Sequence, residues 1–410
     1  ESLEAVQTRF DLPISPPPSS TLIPRPPDLR LEHYTTIRDL DAETWNHLLG
    51  ERGCFDAATL ALLERNHQGP SDFNTWRFHY YLVRDATDKV VLATFFTDGL
   101  WKNDAFSSAH ASEAVEEKRK HDPLHQVSRV FSMGCPLTEG DHLFLDPQRS
   151  WADALRLLLQ SVRSEAERAG AQTTLFRDLS EEQDDITAFL LDEGFARAPL
   201  PNSMVVELEG TEEAWLSGLS RRQRYFIRRE VYPKRAHWTV RVVDSEHPMD
   251  AQTQAHVRGL YDQVKAKSLR INSYPVPPNL IEEVTHTPGW ELLLLYPTDP
   301  QTLQTQVLPA AMGVCFRGES HYVPLLAGLD YTYVASHGAY RQLLYQMIRR
   351  ALELGLSRVH MGLDAELEKR RMGARPRACS MLFQTDDSFD MDALTHGAIT
   401  RFKDSSSAAA

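Results

Sequence analysis

The sequence predicts an α/β protein built of two similar halves in tandem, and three observations carry that expectation. The chain has 410 residues, whereas a single domain ordinarily takes about 100–200. An order of strand, amphipathic helix, glycine, strand and aspartate occurs twice, ending at Asp178 and at Asp364. With 42% hydrophobic and 25% charged residues, the composition is that of a packed globular protein.

Residues 1–30 hold Pro13, Pro16, Pro17, Pro18, Pro24, Pro26 and Pro27. Proline fixes φ and removes a donor, so this stretch is expected to be a stiff, extended linker. It leads to the expectation that the chain is a piece of a longer protein. The first domain is expected over 31–210. Ala42 to Leu49 and Ala57 to Arg65 read as helices, Phe78 to Val83 and Val90 to Phe96 as a hairpin turning at Asp88-Lys89. The charged run from Glu113 to Asp122 is expected to be mobile, and Arg129 to Met133 and His142 to Leu145 resume strand character. From Trp151 to Ala169 the apolar residues Trp151, Leu155, Leu158 and Val162 share one helical face. Gly170 closes that helix, and Gln172 to Phe176 is a strand. Ser150 with Asp153 predicts a carboxylate folded back over the helix start.

The second domain is expected over 211–390, with 391–410 as a tail that ends in an appended scar or a frayed end. Trp215 to Arg241 carries eight Lys or Arg against the single acid Glu230. Arg221, Arg224 and Arg228 fall on one helical face, either a solvated surface or a grip on a polyphosphate. Tyr274 to Pro278 is a proline-stiffened loop, a connector or a lid over a substrate cleft. His321 to Leu326 reads as a strand and Arg358 to Met361 as another. Between them Tyr340, Leu343, Leu344, Met347, Ile348, Ala351 and Leu352 repeat at helical spacing up to Gly355. Ser336 is placed to cap this helix, and His337, Gly338 and Ala339 offer backbone N–H groups with no acid among them. Such a start is either an ordinary cap or an anion site, because unpaired N–H groups and the macrodipole favour phosphate.

The totals exclude several classes. A net charge of −13 argues against general nucleic-acid or anionic-membrane binding. No apolar run approaches the ~20 residues of a membrane span. Four scattered cysteines and sixteen histidines form no metal-ligand spacing, so no metal is expected, and a reducing, cytoplasmic location fits. Serine-hydrolase elbow, P-loop and dinucleotide-binding turn are all missing. What remains suits a reaction without a covalent enzyme intermediate, in which an activated acyl donor and an amine need positioning and proton management.

Leu219 to Arg229 (LSRRQRYFIRR), with Gly362, Lys369 and Gly373 in MGLDAELEKRRMG, resembles the tandem-GNAT acyltransferases, the group that includes the Fem-type aminoacyl transferases. From about Leu31 to Gln384 the chain is also similar to the C-terminal part of bifunctional bacterial proteins in which a GNAT-type domain follows a PLP-dependent α-oxoamine synthase. The usual glycine-rich pyrophosphate turn is replaced by Ser336-His337-Gly338-Ala339. The resemblance implies two GNAT-like domains, each a mixed twisted sheet flanked by helices. It implies an N-acyltransferase using acyl-CoA as substrate, with a small amine as acceptor. The amine could be the sphingoid-like amino ketone made by an upstream synthase. An aminoacyl-tRNA-dependent transferase of the Fem kind and a non-catalytic interaction module are the competing readings. From the residues themselves, Asp330 is the candidate base, flanked by Tyr331, with Tyr333 or Tyr340 as donor to the leaving thiolate and His337 as a second candidate base. An aspartate at a strand end is also a common turn or capping residue. Ser336, His337, Gly338, Ala339, Arg221, Arg224, Arg228 and Lys369 are the candidate contacts to CoA phosphates.

Overall fold

In the computed structural model, which describes residues 28–268 and 271–385, hydrogen bonding gathers the strands into two mixed β-sheets flanked by helices. The first sheet draws on β1 (Arg30–Tyr34), β2 (Arg77–Arg84), β3 (Val90–Lys102), β4 (Val127–Met133), β5 (Leu143–Leu145), β6 (Thr173–Ser180) and β7 (Ala196–Pro199). The second draws on β8 (Ser203–Glu207), β9 (Trp238–Val243), β10 (Trp290–Pro297), β11 (Ala311–Arg317), β12 (His321–Leu329), β13 (Arg358–Gly362) and β14 (Arg375–Arg377). The last strand, β15 (Cys379–Thr385), returns to the first sheet. The orders are β1-β2-β3-β4-β6-β15-β7, with β5 on β3, and β14-β8-β13-β12-β11-β10-β9.

Among the described residues each sheet contains one parallel pair, β4 with β6 and β12 with β13. Parallel neighbours require a crossover, and the two long helices Trp151–Ala169 and Ala339–Glu353 lie within those crossovers. The repeated order in the sequence is thus a repeated architecture. In the second helix Leu343, Leu344, Met347, Ile348 and Ala351 are all buried, each large side chain stabilising by roughly 1.5–3 kcal/mol. Gly313 on β11 faces this helix, and a Cβ there would lie 2.6 Å from Met347 Cε, the end of a flexible side chain.

Several expectations are revised. The run 113–122 belongs largely to the helix Ala109–Arg119. Arg119 Nη2 reaches Asp104 at 2.5 Å and Lys102 Nζ reaches Glu116 at 2.7 Å, so its charges hold it rather than leave it mobile. Ser150 stands at the N-cap of its helix without a side-chain bond, and Asp153 pairs with Arg156 instead. The basic segment is broken into the helices Glu212–Gly218 and Arg221–Phe226, a π-turn and a 3-10 turn. Ahead of the 339–353 helix runs a short helix, Thr332–His337, and the chain turns at Gly338 with φ 64°. Ser336 therefore lies inside a helix, its hydroxyl donating to Thr332 O, and Gly338 is the cap. The boundary expected at 210 divides a sheet: β8 precedes it yet pairs in the second sheet, while β15, inside 211–390, pairs in the first. Residues 1–27 of the expected linker and the tail 391–410 lie outside the described residues.

Candidate active site between the two sheets

Only His321 and Tyr322 of β12 pair with β13. Beyond them the two parallel strands part, and the register of β12 against β11 skips Leu325, a bulge. A bulge bends its strand and increases local twist, which suits the divergence. Pro324 falls at the same place and has no N–H to lose. The edge released from Pro324 to Leu329 faces a cavity of about 730 Å³ between the halves of the molecule. Its walls are mainly apolar, with Trp101 and Phe106 from the first half and Leu326, Leu343 and Met347 from the second. Tyr274, Val276 and Pro277 of the proline-rich loop complete part of the wall.

Acidic and basic groups interrupt this apolar lining. Lys369, on the helix Glu366–Arg371, is buried and donates from Nζ to Gly362 O at 3.2 Å and Leu363 O at 2.6 Å. Glu139 comes from the loop after β4, and its Oε1 accepts the Ser203 hydroxyl. Gly362 has φ 73°, which favours glycine, and a Cβ there would stand 3.2 Å from Glu139 Oε2, a tight approach. Burial pushes the Glu139 carboxyl above its usual range, opposed by the Ser203 bond and the Lys369 charge. Burial likewise lowers Lys369 to about 8, with Glu139 and Asp364 pulling the other way. Arg177 fixes the loop that carries Glu139, donating to Cys135 O at 2.8 Å and Thr138 O at 2.7 Å. The first half thus supplies a carboxylate and the second a lysine to one cavity.

The residues singled out by sequence are dispersed. Asp330 Oδ1 accepts from Thr332 N at 2.9 Å and Thr332 Oγ1 at 2.7 Å. It forms a tight turn with Thr332 just ahead of the short helix, as a turn residue would, and lies outside the cavity lining. Tyr331 and Tyr340 do line the cavity. The Tyr331 ring lies 3.8 Å from Lys267 Nζ; burial, Asp364 and Glu368 raise the Tyr340 phenol. Tyr333 packs against Trp238 and His337. His337 Nδ1 is 2.7 Å from Ser336 Oγ, and burial with the charges of His237 and Lys234 lowers its proton affinity.

Of the expected phosphate contacts, Gly338 has Lys234 beside it, and Ala339 is buried. Arg224 is spent on the carbonyls of Ser217 and Leu219, closing the preceding helix, whereas Arg221 and Arg228 are exposed. Lys369 is enclosed in the cavity wall rather than offered at the helix start. Glu139 and Arg177 were missed because an acid between Thr138 and Gly140, or an arginine within a strand, carries no pattern along the chain.

Residues 220–370 match the family model described as an acetyltransferase (GNAT) domain. The described residues form two mixed β-sheets, each flanked by helices, an arrangement consistent with tandem GNAT-like domains. FemX superposes on this chain with a TM-score of 0.57 at 11% identity, covering 86% of this chain and 97% of FemX. The C-terminal domain of a candidate lysylphosphatidylglycerol synthetase from Agrobacterium fabrum gives 0.50 at 11%, covering 89% and 97%. At such identities the likeness concerns the fold. A search of curated proteins by sequence returns no match. Among the described residues no helix is long and apolar enough to cross a membrane, and no group of three or more His, Cys, Asp or Glu is arranged to hold a metal.

Proposed function

We propose that the protein is an N-acyltransferase that moves an acyl group from an activated donor to a primary amine, with a long alkyl chain of one substrate lying in the cavity between the sheets. The observation that supports this most is the meeting of an apolar cavity, an unpaired strand edge and a carboxylate–lysine pair at one place. The amine nitrogen attacks the donor carbonyl, the C–N bond forms and the bond to the leaving group breaks. Backbone N–H groups on the released edge of β12 stabilise the charge that develops on the carbonyl oxygen. Glu139 takes the proton from the nitrogen, its raised proton affinity suiting it as a base. Lys369 has three N–H donors, two of them used on Gly362 and Leu363; the third is available to the leaving group. With a pKa near 8 it matches a thiolate, whose own value is about 8.5.

The donor favoured by the apolar cavity is acyl-CoA, the charge of −13 opposing the much larger polyanion tRNA, and the acceptor is a chain-bearing amine such as a sphingoid-like amino ketone from an α-oxoamine synthase. The fold likeness to FemX favours a second donor, an aminoacyl-tRNA, as in the Fem-type transferases that the sequence resembles. One assay separates them: acylation of long-chain amines is followed by mass with acyl-CoA or with charged tRNA as donor. Thiol release matched by amide formation is expected. Amide from charged tRNA alone, with binding that weakens steeply with salt, transfers the conclusion to the second donor. No amide from either overturns the proposal and leaves a non-catalytic module.

A further inference from the structure

A second polar cluster in the cavity wall plays no part in the reaction above. Lys102, Lys265, Asn272, Ser273 and Tyr274 all line the cavity. Behind them Glu116 Oε1 accepts from Lys102 Nζ at 2.7 Å, Arg119 Nη1 at 2.6 Å and Asn272 Nδ2 at 2.8 Å. Asp104 is taken by Arg119 and by Asn272. Both carboxylates are thereby committed. Lys265 Nζ donates only to the neutral Ser273 Oγ at 3.2 Å among the described residues, and an ammonium has three donors. The Tyr274 hydroxyl is buried and, among the described residues, has no hydrogen-bond partner. Lys102 Nζ lies 4.9 Å from the Tyr274 ring, which ties the tyrosine to the cluster. In this cluster Lys102, Lys265 and Arg119 face Glu116 and Asp104, so among these described residues three cations meet two carboxylates.

Buried donors without acceptors are costly, and a surplus cation costs more as it leaves water; Lys265 is half-buried. Burial and the neighbouring Lys102 charge lower Lys265 to about 8 against the pull of Glu116. An anion that accepts from Lys265 and Tyr274 together would satisfy both groups and restore neutrality. We propose that Lys265, Ser273 and Tyr274 form an anion-binding subsite of the cavity, taking a carboxylate or phosphate group carried by an amphiphilic substrate. The inference rests on reading this cavity as the substrate site. It adds to it a chemical class: the occupant of the apolar middle is acidic as well as chain-bearing. A phosphate of the donor and an acidic group on the chain-bearing substrate share that chemistry.

Trp76 and Trp101 line the cavity and report binding by fluorescence. Dodecyl phosphate, dodecanoate and dodecanol, each below its micellar concentration, are titrated into the full chain. A charge-assisted bond predicts that both anions bind about tenfold more tightly than the alcohol or better. Lys265→Met should erase that preference without weakening dodecanol, and Lys265→Arg should keep most of it. Displacement of dodecyl phosphate by CoA assigns the anion to the donor's phosphates; its persistence assigns it to the chain-bearing substrate. Equal affinity for anions and alcohol in the unaltered protein overturns the proposal, as does a Lys265→Met protein that melts normally and retains the preference. No turnover is involved, so the absence of acyl transfer would sink the catalytic reading alone.

Discussion

Glu139 and Lys369 stand 230 positions apart by their numbers, yet each helps set the proton affinity of the other. On the scheme proposed, Glu139→Gln keeps the size and the Ser203 contact but removes the base. Maximal rate should fall by about 10²–10⁴-fold, with donor affinity nearly unchanged, as steady-state kinetics and calorimetric titration would establish. Lys369 acts as an acid only while protonated. Its ammonium is lost as pH rises through about 8, so the rate should decline above that pH and, because Glu139 must be ionised, decline again on the acid side. A pH–rate profile whose alkaline limb survives in Lys369→Met would exclude this role. Stability runs in the opposite sense. Lys369 binds its proton less readily in the folded chain than at its ordinary 10.5, so this group destabilises the fold below about pH 8, and that cost is relieved as pH climbs towards 10.5. Asp330 illustrates the limit of reading a site along the chain: its type and position suited a base, but its Oδ1 turns back onto Thr332 and the residue lies outside the cavity lining.

At the scale of elements, the cavity exists because β12 is held on one edge and released on the other. The helix Ala251–Lys267 presses on β12 where Gly328 has no side chain; a Cβ there would lie 2.8 Å from both Leu260 Cβ and the Tyr261 backbone nitrogen. Gly328→Ala should therefore push helix from strand, costing about 1–3 kcal/mol, read as a lower urea midpoint together with weaker binding of chain-bearing ligands. Helices and strands of this kind were legible. The apolar repeat over Ala339–Glu353 and the Gly170 and Gly355 stops correspond to local backbone preferences, which the neighbouring residues alone decide. The bulge at Leu325 and the parting of β12 from β13 were not, because both depend on which strand lies alongside.

At the scale of the molecule, the two halves are interlocked. β15, at the end of the described chain, sits between β6 and β7, and β8 has left the first half for the second sheet. One hydrophobic cluster joins Tyr80 and Phe95 with Leu292 and Val314, and the Trp290 indole donates to Thr59 Oγ1 at 2.8 Å across the divide. A chain truncated before Cys379 should lose β7 from its sheet and expose Leu382 and Phe383's partners. We expect it to be degraded rapidly by limited proteolysis and to bind 1-anilinonaphthalene-8-sulfonate, whereas separable domains would leave a resistant first half.

The sequence by itself determined the α/β class, the repeated strand–helix–strand order and the glycine stops of the two long helices, since hydrophobic period and glycine stops act over a few residues. Only the tertiary structure decided which sheet owns β8 and β15 and where the strands separate. It also decided that Glu139, Lys369, Lys265 and Tyr274 share one cavity. Those outcomes come from burial and charge between segments far apart in the chain, and no local pattern of residue types encodes such meetings.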